Sequence, residues 1–251
     1  MFYFKRKKVE LKFFTTRSEV NEFAPVSYAK KHTPSWWREL PKSGFDFDAK
    51  EIRKNMKGCV GVTSLLNEGF IMPMWTDAAF IIGEEGTNDY WYQFADGETE
   101  ALQHNQGQRG SFAPDAEYQH LKIESPWFMR CKQDIPIYFG AATWHVPPSN
   151  MHVLTGIISP KYQSNTHINT LFKRTQDQQR ISIELGHPLA QMIPLTEKQV
   201  VISTEVISKR EQKDLMSTSF HPLSFSHSYS KIKKIRKEKE QSKCPFGFGG
   251  K

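Results

Sequence analysis

Four histidines and three carboxylates are the residues best suited to metal chemistry in this chain. The histidines are His145, His152, His167 and His187, and the carboxylates are Asp77, Asp134 and Glu184. Two histidines and one carboxylate on a β-barrel can hold Fe(II) for an oxygenase. Such sites usually begin with a His-x-Asp/Glu pair, and the chain contains no such tripeptide. Isolated surface or capping histidines are therefore the favoured interpretation, with His145, His152 and His187 as weak candidate ligands.

Signals of nucleophilic catalysis and of phosphate-binding loops are weak. The chain has no Gly-x-Ser-x-Gly elbow, and Cys59 and Cys131 lack the local signature of an activated thiol. The segments 107–110 and 247–251 are glycine-containing but too short for a Walker loop. Three cysteines at wide spacing fit neither a disulfide framework nor a zinc site, so we expect free thiols in a reducing compartment.

The most patterned stretch runs from Gly156 to Ile193. It contains Gly156-Ile-Ile-Ser-Pro-Lys-Tyr162, an alternating segment 167–172, and Gly186-His-Pro-Leu-Ala-Gln191. In order and separation these resemble the third and fourth motifs of the trimeric dUTPase and dCTP deaminase superfamily. The resemblance implies a β-clip fold in which Tyr162 packs on a deoxyribose, Gln191 reaches the phosphates and Mg²⁺ accompanies the nucleotide. The final Phe-Gly-Phe-Gly-Gly resembles the closing motif of that superfamily, which implies that Phe248 and Gly249 fold over the nucleotide.

The chain departs from that superfamily at two positions. Ser159 stands where a dUTPase has the Asp that activates water, and a hydroxyl has no proton affinity suited to general-base work near neutral pH. The Pro-Arg-Ser motif is also missing, because Pro147-Pro-Ser-Asn150 lacks the Arg. Hydrolysis by that route is therefore not expected. A second interpretation of Gly186–Gln191 is a tight turn entering a buried strand, whose Gln satisfies a backbone group.

A broader resemblance covers most of residues 25–196. Its residues are Pro34-Ser-Trp-Trp, Gly69-Phe-Ile-Met-Pro-Met-Trp-Thr-Asp77, Ser125-Pro-Trp127, Gly156-Ile-Ile to Tyr162, and Gly186-His-Pro-Leu-Ala-Gln-Met-Ile-Pro194. Together they are similar to an uncharacterised family of tailed-phage proteins. This resemblance implies a viral origin and a fold, with the cytoplasm of the infected host cell or the virion as the location, but no reaction.

The elements that must position these residues are predicted to be mostly strands. Short apolar or aromatic runs, separated by turn residues, predict strands at 70–82, 89–95, 119–124, 127–131, 135–139, 151–158, 166–173, 180–185 and 189–195. Val9–Phe14 also alternates as a strand does. A short helix or a turn is expected at 34–41. Short helices are expected at 48–57, with Asp48 as N-cap, and within 205–216, while 96–118 is expected to be a long polar loop.

The positive charge is concentrated at the two ends of the chain. Residues 1–12 carry +4 and residues 231–243 carry +5, whereas the whole chain carries +7, so the body is slightly negative. This distribution confines any contact with nucleic acid to the basic ends, where a viral protein partner is the other candidate, although solvated termini that aid solubility are the simpler interpretation. No apolar run approaches the roughly 20 residues of a membrane-spanning helix, and no secretory signal is recognisable, so an intracellular protein is expected.

The sequence therefore predicts a mainly β protein, with a β-clip or jelly-roll-like barrel or sandwich, short N-terminal helices and a helical, basic C-terminal extension. The expected divisions are an N-terminal segment at 1–60, a β-rich core domain at 61–196 and an extension at 197–251. The favoured function is that of a non-enzymatic phage accessory or virion-associated protein. The β-clip resemblance implies a homotrimer. A deoxynucleotide-binding or nucleotide-processing protein, and an Fe(II)-dependent oxygenase, are the alternatives.

Overall fold

A computed structural model describes residues 8–145 and 150–217, together with Lys234. Its strands are β1 (Lys8–Thr15), β2 (Ser27–Tyr28), β3 (Ser43–Asp46), β4 (Glu51–Lys54), β5 (Phe70–Pro73), β6 (Ala78–Ile82), β7 (Tyr90–Phe94), β8 (Ala101–Gln103), β9 (Tyr118–Ile123), β10 (Phe128–Cys131), β11 (Ile137–Ala141), β12 (Met151–Val153), β13 (Gly156–Ile158), β14 (Ile168–Lys173), β15 (Gln179–Ile183), β16 (Pro188–Pro194) and β17 (Gln199–Val206). Its α-helices are α1 (Ser18–Phe23), α2 (Ser35–Glu39), α3 (Val60–Asn67), α4 (Gln106–Arg109) and α5 (Lys209–Ser217), with 3-10 helices at Ala29–His32 and Met56–Gly58.

The described strands form several separate sheets, and none of them closes into a barrel. The strand orders are β10-β1-β17, β13-β11-β16-β5-β2, β12-β14-β9-β8, β15-β6-β7 and β3-β4. The prediction of a mainly β protein is confirmed. The runs predicted as strands between residues 70 and 195 correspond to strands β5 to β7 and β9 to β16. Among the described residues, no helix is long and apolar enough to cross a membrane.

Strand β1 is paired on both sides and brings distant parts of the chain together. It runs antiparallel to β10, with Phe13 opposite Met129, and parallel to β17, with Lys8 opposite Gln199. Alternation directs Val9, Leu11 and Phe13 to the interior, where each is at most 1% exposed. These side chains belong to the same hydrophobic core as residues of the other large sheets, including Phe80, Trp127 and Phe172. Residues before 60 and after 197 therefore help to build the core.

The prediction of a helix at 48–57 is wrong, because this segment belongs to the β3–β4 hairpin. Phe45 lies opposite Ile52 in the antiparallel ladder, and Asp46 lies opposite Glu51. The carboxylate of Asp46 accepts hydrogen bonds from the backbone N–H groups of Asp48 and Ala49, both at 3.0 Å. Such local bonds offer the backbone an alternative to the helix, and here they form the hairpin turn.

The polar region 96–118 and the segment after Leu195 also differ from expectation. The region 96–118 contains β8 and the capped helix α4. Arg109 ties this region together through the carbonyls of His104, at 2.5 Å, and Ala113, at 2.7 Å. After Leu195 the chain first forms β17, which was not predicted. The helix expected within 205–216 is α5, which begins at Lys209. A capping box precedes it, in which the N–H of Ser208 donates to the Glu211 carboxylate and the N–H of Glu211 donates to the Ser208 hydroxyl oxygen.

The buried Arg174 joins three further loops. The residue is 2% exposed. Its guanidinium donates to the carbonyls of Gly83 (3.1 Å), Asp89 (2.9 Å) and Asp115 (3.2 Å). It also donates to the side-chain oxygen of Gln119 at 2.7 Å. A buried guanidinium is tolerated only when its donors are satisfied, and here backbone carbonyls satisfy them. This charge therefore serves the fold and is not directed toward a ligand.

Candidate functional site

Tyr162 and Ser159 meet at the carboxylate of Asp134. Both residues belong to a turn that follows β13, in which the N–H groups of Tyr162 and Gln163 each donate to the carbonyl of Ser159 at 2.9 Å. The hydroxyl of Ser159 donates to Oδ1 of Asp134 at 2.8 Å, and the hydroxyl of Tyr162 donates to Oδ2 at 3.3 Å. The turn is thereby attached to the connection between β10 and β11.

Asp134 supplies a carboxylate next to Ser159, the position where the resemblance to the dUTPase superfamily implies an Asp. Asp134 lies beside Ser159, although the two residues are 25 positions apart in the chain. Each of its oxygens accepts a hydroxyl hydrogen bond, and Tyr162 and Ser159 are only 3% and 5% exposed. The two hydrogen bonds attach the turn to Asp134, so this cluster has a structural role.

Gln191 uses its side-chain amide to hold the C-terminal end of α3. Its Nε2 donates to the carbonyl of Leu65 at 2.7 Å and to that of Glu68 at 2.8 Å. The residue is 4% exposed and lies in β16, opposite Gly140 of β11 and Ile71 of β5. The last carbonyls of a helix have no partner within the helix, and Gln191 satisfies two carbonyls at this end. These contacts agree with the interpretation of Gln191 as a residue that satisfies backbone groups.

Two of the patterned segments, 69–77 and 184–194, lie side by side through β5 and β16. Gly69 has φ +73°, and a Cβ atom there would collide with the carbonyl oxygen of Met192, so only glycine fits this close approach. Asp77 accepts a hydrogen bond from the backbone N–H of Leu185 at 2.7 Å. The N–H of Met74 donates to the carbonyl of His187 at 2.7 Å. The patterned residues therefore connect neighbouring strands and turns.

The histidines proposed as weak metal ligands do not form a ligand set. His152 is exposed on β12, whereas His145 and His187 are partly buried. Burial lowers the pKa of His145 to about 4, and His32 and His187 add repulsion. Burial also lowers the pKa of His187, against the opposing effect of Glu184. Within residues 8–145 and 150–217, no three His, Cys, Asp or Glu side chains are grouped so that they could hold a metal ion.

Tyr162 and Gln191 are bonded to different partners in the described part of the structure. Tyr162 is bonded to Asp134, and Gln191 is bonded to the end of α3. The residues Phe248 and Gly249, which the resemblance implies as a closing motif, lie outside the described residues. The Ser159–Tyr162 turn, where the resemblance implies a nucleotide site, is therefore buried, and its hydroxyl groups are bonded to Asp134.

The most exposed apolar surface lies on the β3–β4 hairpin, which sequence analysis missed. Phe45 and Ile52 face each other across the two strands, and the rings of Phe45 and Phe47 are 5.2 Å apart. The exposed fractions are 53% for Phe45, 83% for Phe47 and 74% for Ile52. The opposite face carries Arg53, whose guanidinium lies 3.2 Å from Asp46 and 2.6 Å from Glu51. The alternation Phe45-Asp46-Phe47 was the available signal, but the helix prediction concealed it.

The base of the hairpin is fixed to the preceding segment. The ammonium group of Lys57 donates to the carbonyls of Arg38, at 3.0 Å, and Leu40, at 2.8 Å, and the amide of Asn55 donates to the carbonyl of Pro41. A two-stranded hairpin is marginally stable alone and usually needs an apolar face covered by other structure. Among the described strands, β3 and β4 pair only with each other. The hairpin thus presents an apolar face on an anchored base.

Comparisons with known proteins give no family assignment. No protein-family model matches the chain, and no curated protein is significantly similar to it.

Replacing Gln191 with alanine is expected to lower the stability by about 2–3 kcal/mol, because the carbonyls of Leu65 and Glu68 lose the two hydrogen bonds that its buried amide donates. This corresponds to a decrease in Tm of roughly 5–10 °C for a chain of this size. Gln93→Ala, at an exposed position of β7, is the matched control and should leave Tm almost unchanged. An unchanged Tm for Gln191→Ala would contradict the structural role given to this side chain.

Acidification is expected to destabilise the protein between about pH 6.5 and pH 4. Burial lowers the pKa of His120, His145 and His167 to about 4 in the folded protein, from an ordinary value of 6.5. In this window the unfolded chain binds more protons than the folded one, so stability is complete above the unfolded pKa and is lost as the pH falls.

Thermal melting across this pH range measures the effect, and Tm should fall by several degrees. His145→Gln and His167→Gln should each make Tm less dependent on pH. A Tm that stays constant down to about pH 4.5 would show that these histidines are not held neutral by the fold.

Proposed function

We propose that this chain is a phage-encoded accessory or virion-associated protein that acts by assembling with further copies of itself, without hydrolytic activity. The observation that carries the proposal is the exposed apolar face of the β3–β4 hairpin, formed by Phe45, Phe47 and Ile52. The largest contiguous apolar patch on a monomeric protein is typically about 300–600 Å² and is often functional, and larger patches mark interaction sites. The location that this function implies is the cytoplasm of the infected host cell, or the virion.

The size of the patch suits a protein interface. Phe45 and Phe47 are 53% and 83% exposed, and Ile52 is 74% exposed. At about 200 Å² for an aromatic side chain, the two phenylalanines alone present roughly 270 Å², to which Ile52 adds. A standard interface takes about 800 Å² from each partner, so this patch would supply the apolar centre of one.

A second copy is the partner we favour, because the chain also carries an apolar cleft that suits an aromatic side chain. The cleft has a volume of about 160 Å³ and is lined mainly by apolar residues of β11, β12 and β16 and by Ala142, which follows β11. The apolar residues of the three strands are Ala141, Met151, Val153, Pro188 and Leu189. Cavities of about 150 Å³ are large enough to bind benzene. A phenyl ring of Phe47 from a neighbouring copy would therefore fit.

Contact between a hairpin on one copy and a cleft on the next is a head-to-tail arrangement. Such contacts give closed rings when the rotation closes, and filaments when it does not. A closed ring of three would agree with the trimer expected from the resemblance to the dUTPase superfamily. Either outcome is an assembly function, which suits a virion-associated protein and requires no catalytic group. The proposal includes a β-clip or jelly-roll fold for the scaffold.

The alternatives have less support. The deoxynucleotide pocket requires Tyr162 and Gln191 to receive a ligand, whereas their polar groups are bonded to Asp134, Leu65 and Glu68. The Fe(II) oxygenase requires grouped histidines and a carboxylate, whereas Asp77 accepts the backbone N–H of Leu185 and His152 is exposed. If the hairpin instead binds another viral protein, the chain alone remains monomeric, and the experiment on self-association detects this.

Phe47→Ser should weaken self-association at least tenfold, because it removes the most exposed ring of the apolar face. Sedimentation equilibrium over about a hundredfold range of concentration measures this, since the mass of a self-associating protein rises with concentration. Phe112→Ser is the matched control, since Phe112 is 62% exposed elsewhere on the surface.

Ala141→Arg tests the cleft, because a long charged side chain there should block a ring from entering. We expect it to weaken self-association as strongly as Phe47→Ser while the circular-dichroism spectrum stays unchanged. A wild-type chain that remains monomeric throughout would contradict assembly. Equal losses for Phe47→Ser and Phe112→Ser would contradict the role of the hairpin.

A further inference from the structure

Strand β17 forms one outer edge of the β10-β1-β17 sheet, and within residues 8–145 and 150–217 it pairs only with β1. The strand is eight residues long, contains no proline, glycine or lysine, and carries a single charge, on Glu205. Edge strands are usually blunted by prolines, lysines or bulges, because an unpaired edge is a template for another strand. β17 therefore lacks the features that normally keep such an edge from pairing.

One hydrogen bond identifies the backbone groups that point toward the free edge. The N–H of Ile207 donates to the carbonyl of Thr15 at 2.8 Å, so the backbone groups of Ile207 point toward β1. The N–H and C=O of one residue lie on the same side of a strand, and successive residues alternate between the two sides. The register with β1 continues without interruption through the whole strand. The residues that point to the free edge are therefore Val200, Ile202, Thr204 and Val206.

This edge is open, whereas the opposite edge of the sheet is covered. No described residue outside β1 forms a backbone hydrogen bond with residues 199–206. Val206 is 47% exposed, and residues 200–204 are partly buried. On the other side of the sheet, the outward N–H of Met129 in β10 donates to the carbonyl of Ser164 at 2.7 Å. The edge of β17 thus offers four N–H and four C=O groups, about eight in all, to an extended chain.

We propose that this edge pairs with the β17 edge of a second copy, antiparallel, around a two-fold axis at Ser203. In this register Val200 lies opposite Val206 of the second copy, and Ile202 lies opposite Thr204. All four outward residues then form hydrogen-bonded pairs, each of which exchanges two N–H···O bonds, about eight in all. A two-fold contact uses the same surface on both copies, so it ends at a dimer and joins the two sheets into one.

The side chains favour a second copy as the occupant of this edge. The register brings Glu197 of each copy toward Lys209 of the other, at both ends of the ladder. Both side chains are exposed, and neither forms an ion pair with a described residue. A register centred on Val201 would instead place Glu197 opposite Glu205 of the second copy, and these like charges repel each other. The four outward residues are all β-branched, which suits cross-strand pairs.

Ser203 gives a further reason to centre the pairing on this residue. Its hydroxyl oxygen is buried and has no hydrogen-bond partner among the described residues. A buried hydroxyl without a partner is costly, so such groups are usually bonded. In the proposed register Ser203 lies opposite Ser203 of the second copy in a non-hydrogen-bonded pair, where the side chains of the two strands come closest.

This pairing is separate from the contact made by the hairpin. It uses β17, whereas the apolar face lies on β3 and β4. It also has a different symmetry, because the contact of the hairpin with the cleft is head-to-tail and the contact of β17 with itself is two-fold. The dimer does not depend on the hairpin, and the experiment tests the two contacts separately.

Disulfide cross-linking of the full-length chain tests the pairing, in a background with Cys59→Ser and Cys244→Ser. Ser203→Cys places two cysteines directly opposite each other, with Cα atoms about 4.5 Å apart, which is within the range of a disulfide. Val201→Cys is the matched control, since it lies on the same strand and the same face. In the proposed register the two copies of residue 201 are offset by about 13 Å along the strands, too far for a disulfide.

We expect the Ser203→Cys chain to form the linked dimer at least tenfold faster than the Val201→Cys chain at equal concentration. Adding Thr204→Pro should slow the linking at least tenfold, because proline removes an outward N–H while the N–H groups that face β1 are kept. Adding Phe47→Ser should leave the linking unchanged. Equal rates for the two cysteines would overturn the proposal, as would linking that is insensitive to Thr204→Pro.

Sedimentation equilibrium provides a second measurement that needs no added cysteine. The Phe47→Ser chain, in which the hairpin contact is weakened, should still form a dimer as its concentration rises, and Phe47→Ser/Thr204→Pro should sediment as a monomer. A Phe47→Ser chain that stays monomeric over the whole range would overturn the pairing of β17 and leave the hairpin contact standing. A wild-type chain that forms only this dimer would support the pairing of β17 and contradict the hairpin contact.

Discussion

The double-sided pairing of β1 is the constraint on which the rest of the structure depends. One ladder joins β1 to β10 in the middle of the chain, and the other joins it in parallel to β17, almost 200 residues away. The inner side chains of β1 are at most 1% exposed, so a shift of register by one residue would expose Val9, Leu11 and Phe13 together. The outer side chains are fixed by the same register, which places Lys12 opposite Arg130.

The buried polar residues are used to join elements. Gln191 satisfies carbonyls at the end of α3, Arg174 satisfies carbonyls of three loops, and Asp134 holds the Ser159–Tyr162 turn. Thr166 donates to the carbonyl of Trp127 at 2.6 Å, which fixes the fully buried Trp127 at the start of β10. Removing any of these groups would break hydrogen bonds that join separate elements, which lowers the stability. The patterned residues Ser159, Tyr162 and Gln191 therefore have structural roles in this chain.

Much of the sheet structure could be predicted because short apolar runs between turn residues have few alternatives. The runs around Phe80, Leu121 and Phe172 are examples, and each lies in a strand whose inward residues are fully buried. The hairpin β3–β4 could not be predicted in this way, because Asp48 resembles a helix N-cap while the decisive interaction is the turn made by Asp46. β17 was missed because its polar appearance conceals a strand that is specified by pairing with β1. Tertiary context overrides local propensity in such segments.

The candidate surfaces were harder to predict than the strands, for a related reason. The apolar face of Phe45, Phe47 and Ile52 exists only once the segment is a hairpin. The turn at Tyr162 could be located from its sequence, but its partner Asp134 could not, because the contact is formed between separate elements. Functional surfaces made by distant segments therefore become visible only at the level of the sheet register.

The central claim is that this protein acts through its surface and that Tyr162 and Gln191 belong to the fold. Calorimetric titration of the wild-type chain with dUTP, dCTP and inorganic tripolyphosphate, under identical salt conditions, tests it most directly. The account predicts that neither nucleotide binds more tightly than tripolyphosphate, because Tyr162 is bonded to Asp134 and Gln191 to the carbonyls of Leu65 and Glu68. A deoxynucleotide that binds at least tenfold more tightly than tripolyphosphate, about 1.4 kcal/mol, would contradict the account.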